Sequence, residues 1–250
     1  HISRRDMLQT SAATALGLGL MNSASAQNDC DDYPWIDAHS HIWTRDVKKY
    51  PLANGKTVED LDPASFTTEE LLEVAHKNGV GKVVLIAHNV YYRWDNAYMI
   101  DAAAAHPESF RIVGMVDNMA PEPDKQMEKL LPQRVTGFRI TPGVYGKEKW
   151  LDNPGMHAMW KKAAQTRQNM CCLINPDDLA AIDKWCEQYA DTPVVIDHFA
   201  RIGIDGNMRK QDIDALCKLA RHKHTTVKIS AYYALGEKKP PHTELIPMIE

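Results

Sequence analysis

The sequence predicts an α/β fold, a (β/α)8 barrel without its eighth strand and helix. Three observations predict it. Short apolar runs alternate with helix-like stretches seven times along the chain. Most of the runs are nearly continuous in apolar residues, as strands covered on both faces of a parallel sheet require. No glycine-rich turn follows the first run, where His41-Ile42-Trp43-Thr44 stands instead, so the mark of an open dinucleotide-binding sheet is missing. A length of 250 residues matches that of such a barrel.

Residues 1–26 precede the fold and read as a twin-arginine export signal. Arg4-Arg5 is followed by an apolar run, Ala12 to Met21, that is shorter than the roughly 20 residues a membrane span needs. Ala24-Ser25-Ala26 then supplies a cleavage site. Periplasmic location is the expectation, with no membrane span in the mature chain. Residues 27–34 form a linker, and residues 35–250 the barrel.

The first strand is Trp35 to Trp43. Thr44 to Phe66 has no clean period and reads either as a loop over the mouth of the site, offering Trp43, Arg45 and Tyr50 to a substrate, or as a solvated excursion. Thr67-Thr68-Glu69-Glu70 starts a helix as a capping box, and Asn78-Gly79 ends it. The second strand spans Lys82 to Asn89 and the third Arg111 to Asn118, with a helix from Trp94 to Ala105 between them. A helix over Pro123 to Leu131 leads to the fourth strand, Val135 to Thr141. A helix over Pro154 to Arg167 leads to the fifth, Asn169 to Asn175. A helix from Asp177 to Tyr189 leads to the sixth, Pro193 to Phe199. Lys210 to Arg221 is helical before the last strand, Thr226 to Ser230, and Pro240-Pro241 opens one more helix. Seven strands would leave the first and seventh as bare edges. The natural protein is therefore expected to continue beyond Glu250 through another strand and helix.

Composition narrows the partners. The chain is 44% hydrophobic and 25% charged, with a net charge of -4 and no long basic run, which speaks against nucleic acid. Its five cysteines show no Cys-x-x-Cys, so neither a zinc knuckle nor a disulfide framework is indicated. Cys171 and Cys172 read as buried thiols. A homo-oligomer is left open.

The chemistry centres on His39 and His41. Two positions apart on a strand, they project from one face, and two neutral imidazoles there can share a divalent metal. Further polar residues end the other strands: His88 with Asn89, Asp117 with Asn118, Arg139 with Thr141, Asn175, Asp197 with His198, and Lys228 with Ser230. Barrel active sites lie at this end. Tyr91, Tyr92, Trp94, Tyr145 and Trp150 follow strand ends and read either as ring-stacking or as packing residues.

The segments IDAHSHIW, GFRI, VVIDH with FARIG, and VKIS resemble the amidohydrolase superfamily, in its amidohydrolase-related branch (amidohydrolase 2), with lactonase-like features. The resemblance implies metal ligation by His39, His41 and His198 and an Arg139 that faces the substrate; with the strand-end residues read above, the expected catalytic residues are His198, Arg139 and His88, and the expected substrate contacts Arg139, Trp43, Asn175 and Tyr145. It implies a divalent metal, zinc or manganese, with metal-free operation as the alternative, since Asn175 stands where metal-binding relatives commonly offer a histidine or lysine. It also implies that an aspartate ending an eighth strand would bind metal or activate water. The expected activity is hydrolysis of a small cyclic ester or related carbonyl compound, the substrate being a lactone or a small carboxylate. Two alternatives stand beside it: metal-dependent non-oxidative decarboxylation, and a truncated barrel that is inactive or only binds.

Overall fold

The computed structural model describes residues 33–146 and 150–249. The export-signal reading of residues 1–26 lies outside them, as does most of the linker. Seven strands pair side by side in sequence order, all parallel: β1 (Trp35–Ser40), β2 (Val80–Ile86), β3 (Phe110–Gly114), β4 (Val135–Ile140), β5 (Asn169–Cys172), β6 (Val194–Ile196) and β7 (Thr225–Val227). The sheet curls. Flat, its seven strands would span about 29 Å at ~4.8 Å spacing. Yet Lys228, just past β7, brings its Nζ within 3.4 Å of His39 Nδ1 on β1. The architecture is an incomplete (β/α)8 barrel with β1 and β7 at its edges, where Trp35 is 67% exposed.

The helices are α1 (Thr68–Lys77), α2 (Asn89–Tyr92), α3 (Ala97–Ala105), α4 (Pro123–Leu130), α5 (Pro142–Tyr145), α6 (Pro154–Thr166), α7 (Leu179–Gln188) and α8 (Lys210–Cys217). The capping box forms at α1, where Thr67 Oγ1 accepts from Glu70 N–H and Glu70 accepts from Thr67 N–H. No helix among the described residues is long and apolar enough to cross a membrane.

The pleat sorts the side chains. Leu85, Ile112, Phe138, Met170, Cys172 and Ile196 face outward into the main core shared with the helices. Residues of the other parity, Val84, Ile86, Val113, Cys171 and Val195, form a small apolar cluster inside the curl. One step along the strands from that cluster, the inner face turns polar.

Most strands stop short of the apolar runs. Ile174 is fully buried, yet the chain has left the ladder after Cys172. Burial is what an apolar run reports, and a rim loop pressed beneath a helix satisfies it as well as a paired strand does. The helix expected after Pro240-Pro241 is instead a 3-10 segment, Thr243–Met248; Pro247 lies inside it, and in an α-helix its ring would clash with the carbonyl four residues back. The long stretch after β1 is folded as well. Trp43 and Phe66 pair through backbone bonds of 2.9 and 3.1 Å, and Tyr50, Leu61, Tyr91 and Tyr92 form a second buried cluster.

Candidate active site

The polar layer begins on β1. Asp37 accepts from His39 N–H at 2.8 Å and from the Ser40 hydroxyl, which anchors the end of β1 where its pairing with β2 is irregular. His39 and His41 then share a face, with ring centroids 5.1 Å apart. His41 Nδ1 lies 2.8 Å from Ile86 O. A carbonyl only accepts, so Nδ1 carries the proton and Nε2 keeps its lone pair. His88, just beyond β2, sits 5.0 Å from the His41 ring and stacks on Tyr91 at 4.1 Å.

From the far side come Arg139 on β4, Asp197 and His198 after β6, and Lys228 after β7. Strand parity alone would point only one of Asp197 and His198 inward. Both face the cup, because His198 takes a left-handed backbone (φ 54°, ψ 48°) that swings its ring back. Its Nδ1 lies 2.8 Å from Ser230 Oγ, and its ring 4.5 Å from that of His39. Arg139 Nη2 donates to Asp197 Oδ2 at 3.2 Å and contacts His39 Nε2 at 3.0 Å. Lys228 Nζ is 3.4 Å from Asp197 Oδ1. Asp197 is fully buried and Arg139 nearly so.

The apolar floor and these cations set the protonation states. Burial, then the Arg139 and Lys228 charges, hold His39 far below the ordinary histidine range. Burial pushes His41 down to about 3 and His88 to about 4, and it lowers His198 too. All four rings are therefore neutral at pH 7 and keep a lone pair. Cys171, beneath them, is pushed up to about 12 by burial and remains a thiol.

A divalent metal fits this donor set. Among the described residues, ligating atoms of His39, Asp197 and His198 lie within 4.8 Å of one another. Neutral imidazoles and a carboxylate suit zinc, at about 2.0–2.2 Å each. The tightest cluster thus holds Asp197 in place of the expected His41, which stands one ring away. Arg139 and Lys228 contact the same two side chains, so their groups would share the Asp197 carboxylate with the ion and give up the His39 lone pair to it.

The other expected residues divide. Trp43 walls the site: its indole donates to Pro63 O at 2.8 Å and its ring packs 5.5 Å from His88. Asn175 is exposed and lines, with Arg201 and Arg209, a cavity of about 430 Å³ rather than touching the polar cluster. Tyr50 is structural; its hydroxyl is turned away to donate to Asp101 at 2.7 Å. Arg45 is exposed on the loop. The Tyr145 side chain lies outside the described residues. Tyr91, Tyr92 and Trp150 are packed. Asp197 and Lys228 are the residues to which sequence reasoning gave no role. The signal was there in part, because Val195 and Asp197, like Thr226 and Lys228, share a parity and so a face.

The amidohydrolase family model (Amidohydro_2) matches residues 36–245. No curated protein matches the chain. Among solved structures, a probable 2-pyrone-4,6-dicarboxylic acid hydrolase from Acinetobacter baumannii, with citric acid bound, superposes with a TM-score of 0.70 at 18% identity, covering 84% of this chain and 74% of that one. An amidohydrolase from Burkholderia multivorans with bound zinc gives 0.66 at 17% identity, over 81% and 71%. An apo structure from Agrobacterium tumefaciens gives 0.64 at 20% identity, over 85% and 71%.

Proposed function

The chain belongs to the amidohydrolase family of hydrolases, and from that premise we propose that it opens a small cyclic ester, as a lactonase does. One observation carries the reading: the Arg139 guanidinium is locked between Asp197 and His39, facing a floor that excludes water. A donor fixed in a dry site is ready for the negative charge that grows on a carbonyl oxygen during attack, and such a donor contributes about 2.7–4 kcal/mol of barrier lowering. His198, neutral and braced by Ser230, turns its one remaining ring nitrogen to the cup, where it would hold the metal or, in metal-free operation, accept a proton from the attacking water. His88 and Trp43 form the opposite wall and orient the ring. His39, Asp197 and His198, with His41 alongside, would hold a divalent metal. When bound, the ion supplies Lewis acidity and a more acidic water.

Two resemblances support the finer reading. The Acinetobacter baumannii relative bears the name of a pyrone hydrolase, and a pyrone is a cyclic ester; the Burkholderia multivorans relative carries zinc. The paired-arginine segment supports export to the periplasm.

The test is turnover of a panel of small lactones by the zinc-loaded protein and by Arg139→Ala and His198→Ala. Each substitution is expected to lower kcat/KM by about 100-fold or more. Undiminished turnover in both variants would refute the assignment. Carbon dioxide release in the same assay would replace ring opening by decarboxylation.

A further inference from the structure

Beside the cup, on the His88 side, lies a second cavity of about 360 Å³ lined by Asn54, Lys56, Asn89, Val90, Arg93 and Gly143, with Val144. The site described above makes no use of it. Among the described residues, its wall contains two cations and two carboxamides and no acidic residue.

The cavity is built, not incidental. Ala53 N–H donates to Tyr91 O at 2.6 Å and Asn54 Nδ2 to Val90 O at 3.4 Å, which fastens the loop after β1 onto α2. The opposite wall, Gly143, follows the strand that carries Arg139. Asn89 adjoins His88 in the chain. Lys56 Nζ sits 6.0 Å from the Tyr91 ring centroid, and Tyr91 stacks on His88. Contacts therefore run unbroken from the cavity to the imidazoles of the cup.

Its charges are poorly matched from within. Among the described residues, the nearest carboxylate oxygen to Lys56 is on Asp60, 4.0 Å away, and the other oxygen of Asp60 is occupied by Thr57. Arg93 lies 5.5 Å over the Trp94 ring and makes no ion pair among the described residues. The Asn89 carboxamide has no hydrogen-bond partner among them either. Two cations and a free amide turned toward one recess in a chain of net charge -4 form a receptor for an anion.

We propose that this cavity is an anion subsite that takes a carboxylate on the substrate remote from the scissile carbonyl, so that the enzyme selects carboxylate-bearing lactones over neutral ones. The inference rests on the hydrolase reading for its biological sense, but not for its test. The test reads binding alone. Linear α,ω-dicarboxylates from succinate to suberate are titrated calorimetrically into the full chain, each beside the monocarboxylate of the same length. At least one diacid is expected to bind about tenfold tighter than its monoacid, and the gap should shrink between about 50 and 500 mM salt. Lys56→Gln and Arg93→Gln, tested separately, should each cut the gap to about threefold or less, while Lys56→Arg keeps it. The proposal is overturned if no diacid is preferred, or if the preference survives both Gln variants. Failure of the lactonase reading would leave these titrations unchanged, so the two results separate.

Discussion

Asp197 is the residue on which the others depend. It has no exposure to water, and its two oxygens lie 3.2 Å from Arg139 and 3.4 Å from Lys228. Replacing it by Asn keeps the shape and removes the charge. Arg139 and Lys228 would then sit over an apolar floor with only neutral imidazoles near them. Breaking a buried ion pair from one side costs about 3–5 kcal/mol, mostly for the charge left behind. Asp197→Asn should therefore lower the urea midpoint by the equivalent of about 3 kcal/mol with the slope unchanged. A loss below about 1 kcal/mol would mean that water reaches the pair. This centre was only half legible in the sequence. His39 and His41 announce themselves by spacing, because a strand puts i and i+2 on one face. Asp197 and His198 do not, since adjacent residues should diverge, and only the left-handed turn at His198 unites them. No local pattern encodes that turn at a non-glycine residue.

At the scale of elements, the sequence was most legible where a helix begins. Asn153 accepts from Met156 N–H at 2.9 Å, and Pro154 takes the first position of α6, where its missing N–H costs nothing. What the sequence did not reveal is why Gly155 follows. A Cβ there would stand 1.8 Å from the Asn118 carbonyl oxygen, backbone against which α6 is packed. Two effects oppose each other in Gly155→Ala. Alanine gains up to about 1 kcal/mol of helix propensity. The clash falls on backbone, which cannot rotate away, and overpacking of this kind costs about 1–3 kcal/mol or more. The clash should win, with net destabilisation of about 1–2 kcal/mol in chemical denaturation. A stabilised variant would show that α6 shifts freely against the loop after β3. Strand ends were less legible for a related reason. The apolar run through Ile174 reports burial, and whether a buried residue pairs in a ladder depends on neighbours distant in sequence.

Across the whole molecule, the same burial that readies the cup sets how the fold answers to acid. His39, His41, His88 and His198 are held neutral in the folded chain, His41 down to about 3 and His88 to about 4. Unfolded, each would titrate near 6.5. Between those values the unfolded chain binds more protons than the folded one, so stability falls as pH falls. The contribution is complete above about pH 6.5 and is lost as pH drops toward 4. At pH 5, each ring that stays neutral has given up about 2 kcal/mol, reckoned at 1.36 kcal/mol per pH unit over roughly 1.5 units. On the helical shell, Asp183 behaves differently. Its carboxylate takes bonds from His222 at 2.7 Å and Arg221 at 2.9 Å, and despite some burial these partners hold its pKa below the usual range. Its contribution therefore survives to lower pH and goes only below about pH 4. Thermal melts from pH 8 to pH 4 should show a Tm nearly flat down to about 6.5 and then a decline. Replacing His41 and His88 by Gln should flatten that decline, whereas Asp183→Asn should lower the whole curve above pH 4 without changing its slope between 5 and 6.5. If instead the Gln pair left the slope intact, the acid response would arise from other groups, and the neutral state of His41 and His88 would lose its support.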